Sequence, residues 1–271
     1  MPGYKKKRAR QLKHDRFRDT TMSMLDRLAD RLEGKGRLIL YGLLGLLVAF
    51  LVVYAGIRWQ NRRTQEAEQA MGRAIKIASA EITPAPPPNS QDLSFNTEEQ
   101  RAQRAIEEFR KVEAKYGEPY RSQARYFSAV YLLLVDRPKG LSELATLGNS
   151  SNREIATLAK FALAQAKEED KSFDEAAAIY TELAKQNDAV VTPETANLCL
   201  AQVYDKQGKK KEAADLLFNT VETARKAKDS EGKPAPQSSA VRKAAQELQR
   251  IDAARYAQLT PEIQTTQIPF G

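Results

Sequence analysis

The chain holds one histidine, His14, and one cysteine, Cys199. Together they set a low ceiling on its chemistry. A cysteine nucleophile works as a thiolate, and a thiolate needs a basic neighbourhood or a histidine partner. Cys199 instead lies between Leu198 and Leu200 in an apolar helical stretch, while His14 sits in a distant N-terminal segment. This predicts a buried structural thiol. With one cysteine there is no intramolecular disulfide. No Cys/His spacing suits a metal, and no glycine-rich loop suits a phosphate. Two acidic clusters remain. Glu107-Glu108 reads as a solvent face, and Glu168-Glu169-Asp170 closes a helix and reads as a solvated turn. The residues predict no enzyme, no catalytic group, no cofactor and no metal.

The chemistry on offer is that of surfaces, so the elements that present them come next. Between Arg37 and Arg58 run twenty uncharged residues, Leu38 to Ile57. At ~1.5 Å per residue they make a helix about 30 Å long, the thickness of a bilayer's hydrocarbon core. Tyr41 stands near one end, and Tyr54 and Trp59 near the other, where amphipathic rings favour the interface. The run exceeds the roughly 7–15 apolar residues of a signal-peptide core, and no small-x-small cleavage site follows it. It predicts one transmembrane helix kept as an anchor. Gly42, Ala49 and Gly56 recur every seven residues with Gly45 beside them, a candidate packing face for another membrane helix.

The net charge of +8 is unevenly spread. Residues 1–37 carry 12 Lys/Arg against 5 Asp/Glu, whereas residues 58–271 carry 31 against 30. The large domain is balanced and has no nucleic-acid footprint. The basic leader, opening Lys5-Lys6-Lys7-Arg8, is expected to meet anionic lipid headgroups. Met22, Leu25, Leu28, Ala29 and Leu32 share a face there, predicting a short interfacial helix. Basic residues within about 20 positions of the span tie at five on each side, Arg18 to Arg37 against Arg58 to Lys76. The leader is short and the domain long, which favours leader inside and domain outside, because long domains translocate largely regardless of charge.

Beyond the span the chain repeats. A small residue, an apolar one four later and another three after that recur as Ala105, Phe109, Val112; Gly140, Leu144, Leu147; Ala176, Tyr180, Leu183; and Ala213, Leu217, Thr220. Their first members lie 35, 36 and 37 residues apart. A period near 34 is that of the tetratricopeptide helix–turn–helix unit. Leu200-Ala201, Tyr204 and Gly208 precede the fourth copy and resemble that consensus of a Leu-Gly pair, a Tyr three later and a Gly at the turn. Leu163-Ala164 precede the third, where Lys167 replaces the Tyr, and Phe127-Ser128 with Tyr131 precede the second. Asp136-Arg137-Pro138-Lys139 stands where the second copy's turn should be. Pro86-Pro87-Pro88 bars a helix just before the first copy, so its partner helix is expected upstream, on the stripe Ala67, Ala70, Met71, Ala74, Ile77, Ala78.

The expected fold is all-α, a single transmembrane helix followed by a tetratricopeptide-like solenoid. Its parts are a basic cytoplasmic leader (1–37), the transmembrane helix (38–57), a helical stalk doubling as first repeat helix (58–81), a Pro-rich loop (82–97), the solenoid (98–225), a flexible linker (226–238), a capping helix (239–259) and a disordered tail (260–271). With Tyr116-Gly117-Glu118-Pro119-Tyr120 in its repeats, residues 25–225 resemble the YfgM-like proteins, ancillary subunits of the bacterial Sec translocon. The resemblance implies an inner-membrane anchor and a periplasmic domain that meets translocon components, exported polypeptides or chaperones. The alternative is a cytoplasm-facing scaffold of an envelope or division complex. Repeat register places a candidate peptide groove at Arg125, Ala129, Leu132, Phe161, Gln165, Glu168, Leu198, Gln202 and Asp205.

Overall fold

A computed structural model describes residues 36–83, 93–186 and 188–261, with side chains from residue 41 onward. The basic leader up to residue 35 with its interfacial helix, the proline run at 84–92 and the tail at 262–271 lie outside the described residues. The chain divides into two compact units, Met1–Gln65 and Glu66–Gly271.

In the first unit the described residues form one helix, the opening part of α1 (Gly36–Ala78). It contains a window of mean hydropathy 1.9, none of which is buried. Leu46, Phe50 and Val52 are each about two-thirds exposed, at 71%, 66% and 67%. A helix from a soluble core would hide such side chains against protein, and this one hides none of them. Contiguous exposed apolar surface marks a partner or a membrane. The helix is long and apolar enough to cross one.

The second unit is helical almost throughout. Its elements are the end of α1, then α2 (Glu98–Lys115), α3 (Tyr120–Val135), α4 (Arg137–Leu147), α5 (Arg153–Glu169), α6 (Phe173–Lys185), α7 (Pro193–Lys206), α8 (Lys210–Lys226), α9 (Ser239–Ile251) and the short α10 (Ala253–Tyr256). Local chemistry sets the starts. Thr97, Asn152, Thr192 and Ser238 each accept a hydrogen bond from a backbone N–H three residues on, so orphan donors at the helix end are satisfied. Pro193 follows Thr192 at a position where its missing N–H costs nothing.

The ends of α5 and α7 are built alike. Lys171 and Gly208 both take positive φ, 59° and 77°, in the turns that follow. In each turn the next residue's N–H reaches back to a carbonyl five positions earlier, Ser172 to Lys167 and Lys209 to Tyr204. Glycine adopts this backbone freely, while lysine pays roughly 1–2 kcal/mol for it.

Packing follows the repeat. From α2 to α9 each helix packs on the next, and α3 also meets α5, as α7 meets α9. Most buried apolar residues among those described fall into four clusters. Two hold a whole copy of the triple, and the other two hold two of its three members, without Gly140 and Thr220. Ala105, Phe109 and Val112 lie with Ala67, Met71, Ala74 and Ala78 of α1. Leu144 and Leu147 lie with Ala129, Ile155 and Ala159. Ala176, Tyr180 and Leu183 lie with Ala164, Leu200 and Val203. Ala213 and Leu217 lie with Leu198, Ala201, Val241 and Leu248. The first helix of each pair is shared between neighbours: α7 gives Leu200 to one cluster and Leu198 and Ala201 to the next. One pair cannot bury its own apolar face, so the pairs stack as a solenoid.

Gly140 shows why a small residue opens each triple. A Cβ built there would stand 2.7 Å from the Leu133 backbone nitrogen and 3.0 Å from the Leu132 carbonyl carbon. The turn between α3 and α4 is the single residue Asp136, which caps α4 through the Lys139 N–H. So short a link presses the two backbones together. We expect Gly140→Ala to destabilise the domain. The overpacking cost of about 1–3 kcal/mol outweighs the gain in helix propensity of up to about 1 kcal/mol. The check is the urea midpoint against Gly72→Ala, where the added methyl meets nothing within 4 Å and the midpoint should hold or rise.

Three segments differ from expectation. The segment at 82–97 is tied at its ends by a parallel pair, β1 (Glu81–Ile82) with β2 (Ser94–Phe95). The linker at 226–238 is a hydrogen-bonded turn rather than a flexible loop: Lys228 bridges Pro234, and the Asp229 carboxylate accepts from the Glu231 and Lys233 N–H groups. The capping helix breaks at Asp252, whose side chain starts α10 by accepting from the Arg255 N–H at 2.8 Å.

Past α10 the chain is clasped. Glu222 of α8 accepts from the Thr260 N–H at 3.0 Å and from its hydroxyl at 2.7 Å. Hydrogen bonds from Lys226 and then Thr260 hold the Glu222 carboxyl down at about 2. A depressed carboxyl stabilises the fold above its unfolded value and loses that contribution as pH falls through the folded one. The clasp is therefore expected to release between pH 4.5 and pH 2. Protection of amides around residues 252–260, relative to their intrinsic exchange rates, should fall in that window, and Glu222→Gln should remove that part of the pH dependence.

Candidate functional site

The candidate groove residues belong to α3, α5 and α7, the first helices of three successive pairs. On α3, Arg125, Ala129 and Leu132 come together in a cleft of about 140 Å³ with Arg110, Glu113, Ser128 and Glu143. Arg125 is held by two hydrogen bonds to the Glu143 carboxylate, at 2.8 and 3.2 Å, with Glu113 at 4.0 Å. Ala129 and Leu132 are buried and form its floor. The cleft is smaller than the roughly 300 Å³ of a typical small-molecule site and Arg125 is already paired.

On α5 and α7 the set divides. Leu198 is buried in the core beside Leu217 and Leu248, and does not line a groove. Glu168 accepts from the Tyr180 hydroxyl at 3.2 Å and from Lys206 Nζ at 2.6 Å. Asp205 accepts from Arg250 Nη2 at 2.6 Å. Phe161 is half-buried, edge-on to Tyr180 with centroids 5.9 Å apart. Gln165 is exposed and Gln202 half-buried, and neither side chain has a hydrogen-bond partner among the described residues. The groove reading is corrected accordingly. Arg125, Glu168 and Asp205 spend their charge inside the domain, Leu198, Ala129 and Leu132 are packing residues, and Phe161, Gln165 and Gln202 remain as contact positions.

The acidic cluster at the end of α5 is likewise not a merely solvated turn. Arg137 at the start of α4 reaches Asp170 at 2.6 Å, Glu169 at 3.1 Å and the Ala166 carbonyl at 2.8 Å. Similar links recur. Arg153 meets Asp188 at 3.1 Å, and the Thr157 hydroxyl donates to the same carboxylate. The Val190 backbone N–H is the main cause holding Asp188 below its usual value. Gln207 donates to Asp174 at 2.8 Å. With Lys206–Glu168, these partners lie 29 to 38 residues apart, about one repeat. That spacing is the one sequence signal that could have found them. Exposed pairs of this kind contribute about 0–1 kcal/mol each, so they set register more than stability.

Cys199 packs against the third cluster, close to Tyr180 and Glu168. Burial, with the Glu168 charge second, pushes its thiol up to about 11. Burial also raises the Tyr180 phenol, with Cys199 and then Glu168 adding to it. At neutral pH both stay protonated, and the thiol is no nucleophile. Among the described residues no three His, Cys, Asp or Glu side chains gather as a metal would need.

In the first unit Gly42, Gly45, Ala49 and Gly56 all lie on the exposed apolar part of α1, and a Cβ at any of the three glycines would meet nothing within 4 Å. The helix surface there is open to a neighbour. Comparison with protein-family models, curated proteins and solved structures finds no match to this chain.

Proposed function

We propose that this protein is a membrane-anchored protein–protein interaction module of the tetratricopeptide type. It stands on the extracytoplasmic face of a bacterial inner membrane, where it binds translocon components, exported polypeptides or chaperones. The observation that carries the reading is that each of four core clusters takes two or three members of one of four copies of the triple, in a chain whose preceding helix is apolar and unburied. Such stacks serve as extended binding surfaces, with stability supplied by neighbouring repeats. The likeness to YfgM-like proteins supports the compartment and the class of partner. Phe161, Gln165 and Gln202 supply the mixed apolar and amide character that suits extended peptide.

One observation favours the cytoplasm-facing scaffold instead. Arg58, Arg62 and Arg63 directly follow the span on the domain side, where cytoplasmic flanks gather positive charge. A topology reporter fused after Gly271 separates the two. Activity of a phosphatase that folds only outside the cytoplasm supports the proposal, and activity only of a cytoplasmic reporter sinks it. A photo-crosslinker at Gln165 or Gln202 should then capture an exported chain or chaperone in preference to one at exposed Gln103. Equal capture at all three positions would refute the groove.

A further inference from the structure

The end of the apolar helix carries a charge cluster that neither the domain nor the repeat uses. Arg58, Trp59, Arg62 and Arg63 fall at positions i, i+1, i+4 and i+5, which a helix of about 100° per residue gathers on one face about 140° wide. All four are exposed, and Trp59 keeps 59% of its surface open. Arg63 lies over the Trp59 indole, with its guanidinium carbon 4.3 Å from the ring centroid. None of the three arginines forms an ion pair among the described residues. The nearest carboxylates along the chain are engaged elsewhere: Glu66 faces Lys115 at 3.6 Å, and Glu68 accepts from the Tyr120 hydroxyl at 3.1 Å. Among the described residues, three guanidinium groups within six positions, Arg58 to Arg63, thus stand without an anionic partner, directly after the last apolar residue of the span, Ile57.

We propose that this face is a collar that binds the phosphates of anionic phospholipids at the interface next to the domain. The inference rests on the membrane-anchor reading. The chemistry is specific. A guanidinium presents a planar fork of donors that matches two phosphate oxygens, and it loses little hydration in doing so. An indole places its ring at the level of the headgroups. Arg63 stacked on Trp59 holds one fork over the ring, while Arg58 and Arg62, four residues apart, offer two more along the same face. Charge complementarity selects a lipid with net negative charge over a zwitterionic one, whose own ammonium cation competes for its phosphate.

Trp59 is the only tryptophan in the chain, so its fluorescence reports on the collar alone. The full chain is reconstituted into phosphatidylcholine vesicles holding 20 mol % phosphatidylglycerol, with bromine on the acyl chains of one lipid or the other at equal mole fraction. We expect quenching to show phosphatidylglycerol enriched beside Trp59 by about fivefold, the equivalent of one arginine attraction near the surface. Enrichment should fall with added salt, and Arg58→Gln/Arg62→Gln/Arg63→Gln should abolish it while the chain still enters the vesicles. Equal quenching by the two brominated lipids, or enrichment unchanged in the triple variant, overturns the collar and leaves the anchor standing. Absence of quenching by either lipid overturns the anchor, and the collar with it.

Discussion

Arginine at both Leu47 and Val48 is expected to release the chain from the membrane. The span from Leu38 to Ile57 holds thirteen Leu, Ile, Val and Phe residues. Near the centre of a membrane helix each such residue contributes roughly −0.3 to −0.6 kcal/mol, so the set supplies about −4 to −8 kcal/mol. An arginine at the centre costs about 3 kcal/mol, and two cost about 6. The pair cancels most or all of the favourable sum, whereas a single arginine still leaves about 1–5 kcal/mol of it. The reading is the partition between membrane and soluble fractions after alkaline extraction. Full retention of the double variant would mean that something other than the apolar run holds the chain. A double leucine variant at Gly42 and Gly45 should remain in the membrane fraction throughout. It serves as a control for helix substitution as such.

The second large effect concerns the junction of α1 with the repeats, inside the second unit. Phe109 is 1% exposed and stacks on Phe127 at 5.2 Å and on Tyr131 at 6.0 Å. The same cluster takes in Ala67, Met71, Ala74 and Ala78. Around it, the Tyr131 hydroxyl donates to the Ala78 carbonyl at 3.5 Å and Arg101 to the Ala80 carbonyl at 3.2 Å. Both polar contacts are part-buried and flank the apolar cluster. Phe109→Ala should cost about 3–5 kcal/mol, from lost burial and from the cavity left between rings that cannot collapse onto alanine. For a domain of this size each kcal/mol lowers Tm by roughly 2–4 °C. Hydrogen exchange gives the sharper reading. Stability in a repeat stack is local, so protection should fall in residues 66–78, α2 and α3 and persist in α7 to α9. A uniform loss across the domain would contradict the nearest-neighbour picture. Phe109→Leu keeps most of the volume and should recover most of the protection.

The helical class and the apolar helix were legible because both are written in local periodicity. The triples were legible for the same reason. Ala105, Phe109 and Val112 stand one helical turn apart, and so do their counterparts around Tyr180 and Leu217. The turn after α3 was harder. Asp136-Arg137-Pro138-Lys139 reads as a loop from composition, yet Asp136 caps and Pro138 starts a helix, which shortens the link to one residue. The groove suffered from a different gap. Repeat register places a residue on a helix face, but it does not say whether a neighbour one repeat away will neutralise it. Glu168, Asp205 and Arg125 each found an opposite charge on another helix. Leu198 shows the related limit: the first helix of each pair has two buried faces, and a pattern read for one face misassigns the other. The linker at 226–238 looked flexible because its lysines, prolines and glycine lack periodicity. Its order comes from the Asp229 side chain closing a turn on two backbone N–H groups, together with backbone hydrogen bonds across the same turn.

The ladder of helices, each packed on the next and at most the next but one, bears on how the chain reaches this state. Almost every contact that matters is made between residues within one repeat or its neighbour. Such topologies carry low loop-closure cost and fold quickly, since no early segment must wait for a distant late one. The triple at Ala105 can settle against α1 before α7 has been synthesised, and each later pair finds a finished surface to dock on. A chain leaving a ribosome or crossing a bilayer from its N-terminal end emerges in the same order as the ladder is built, so its apolar faces are covered almost as fast as they appear.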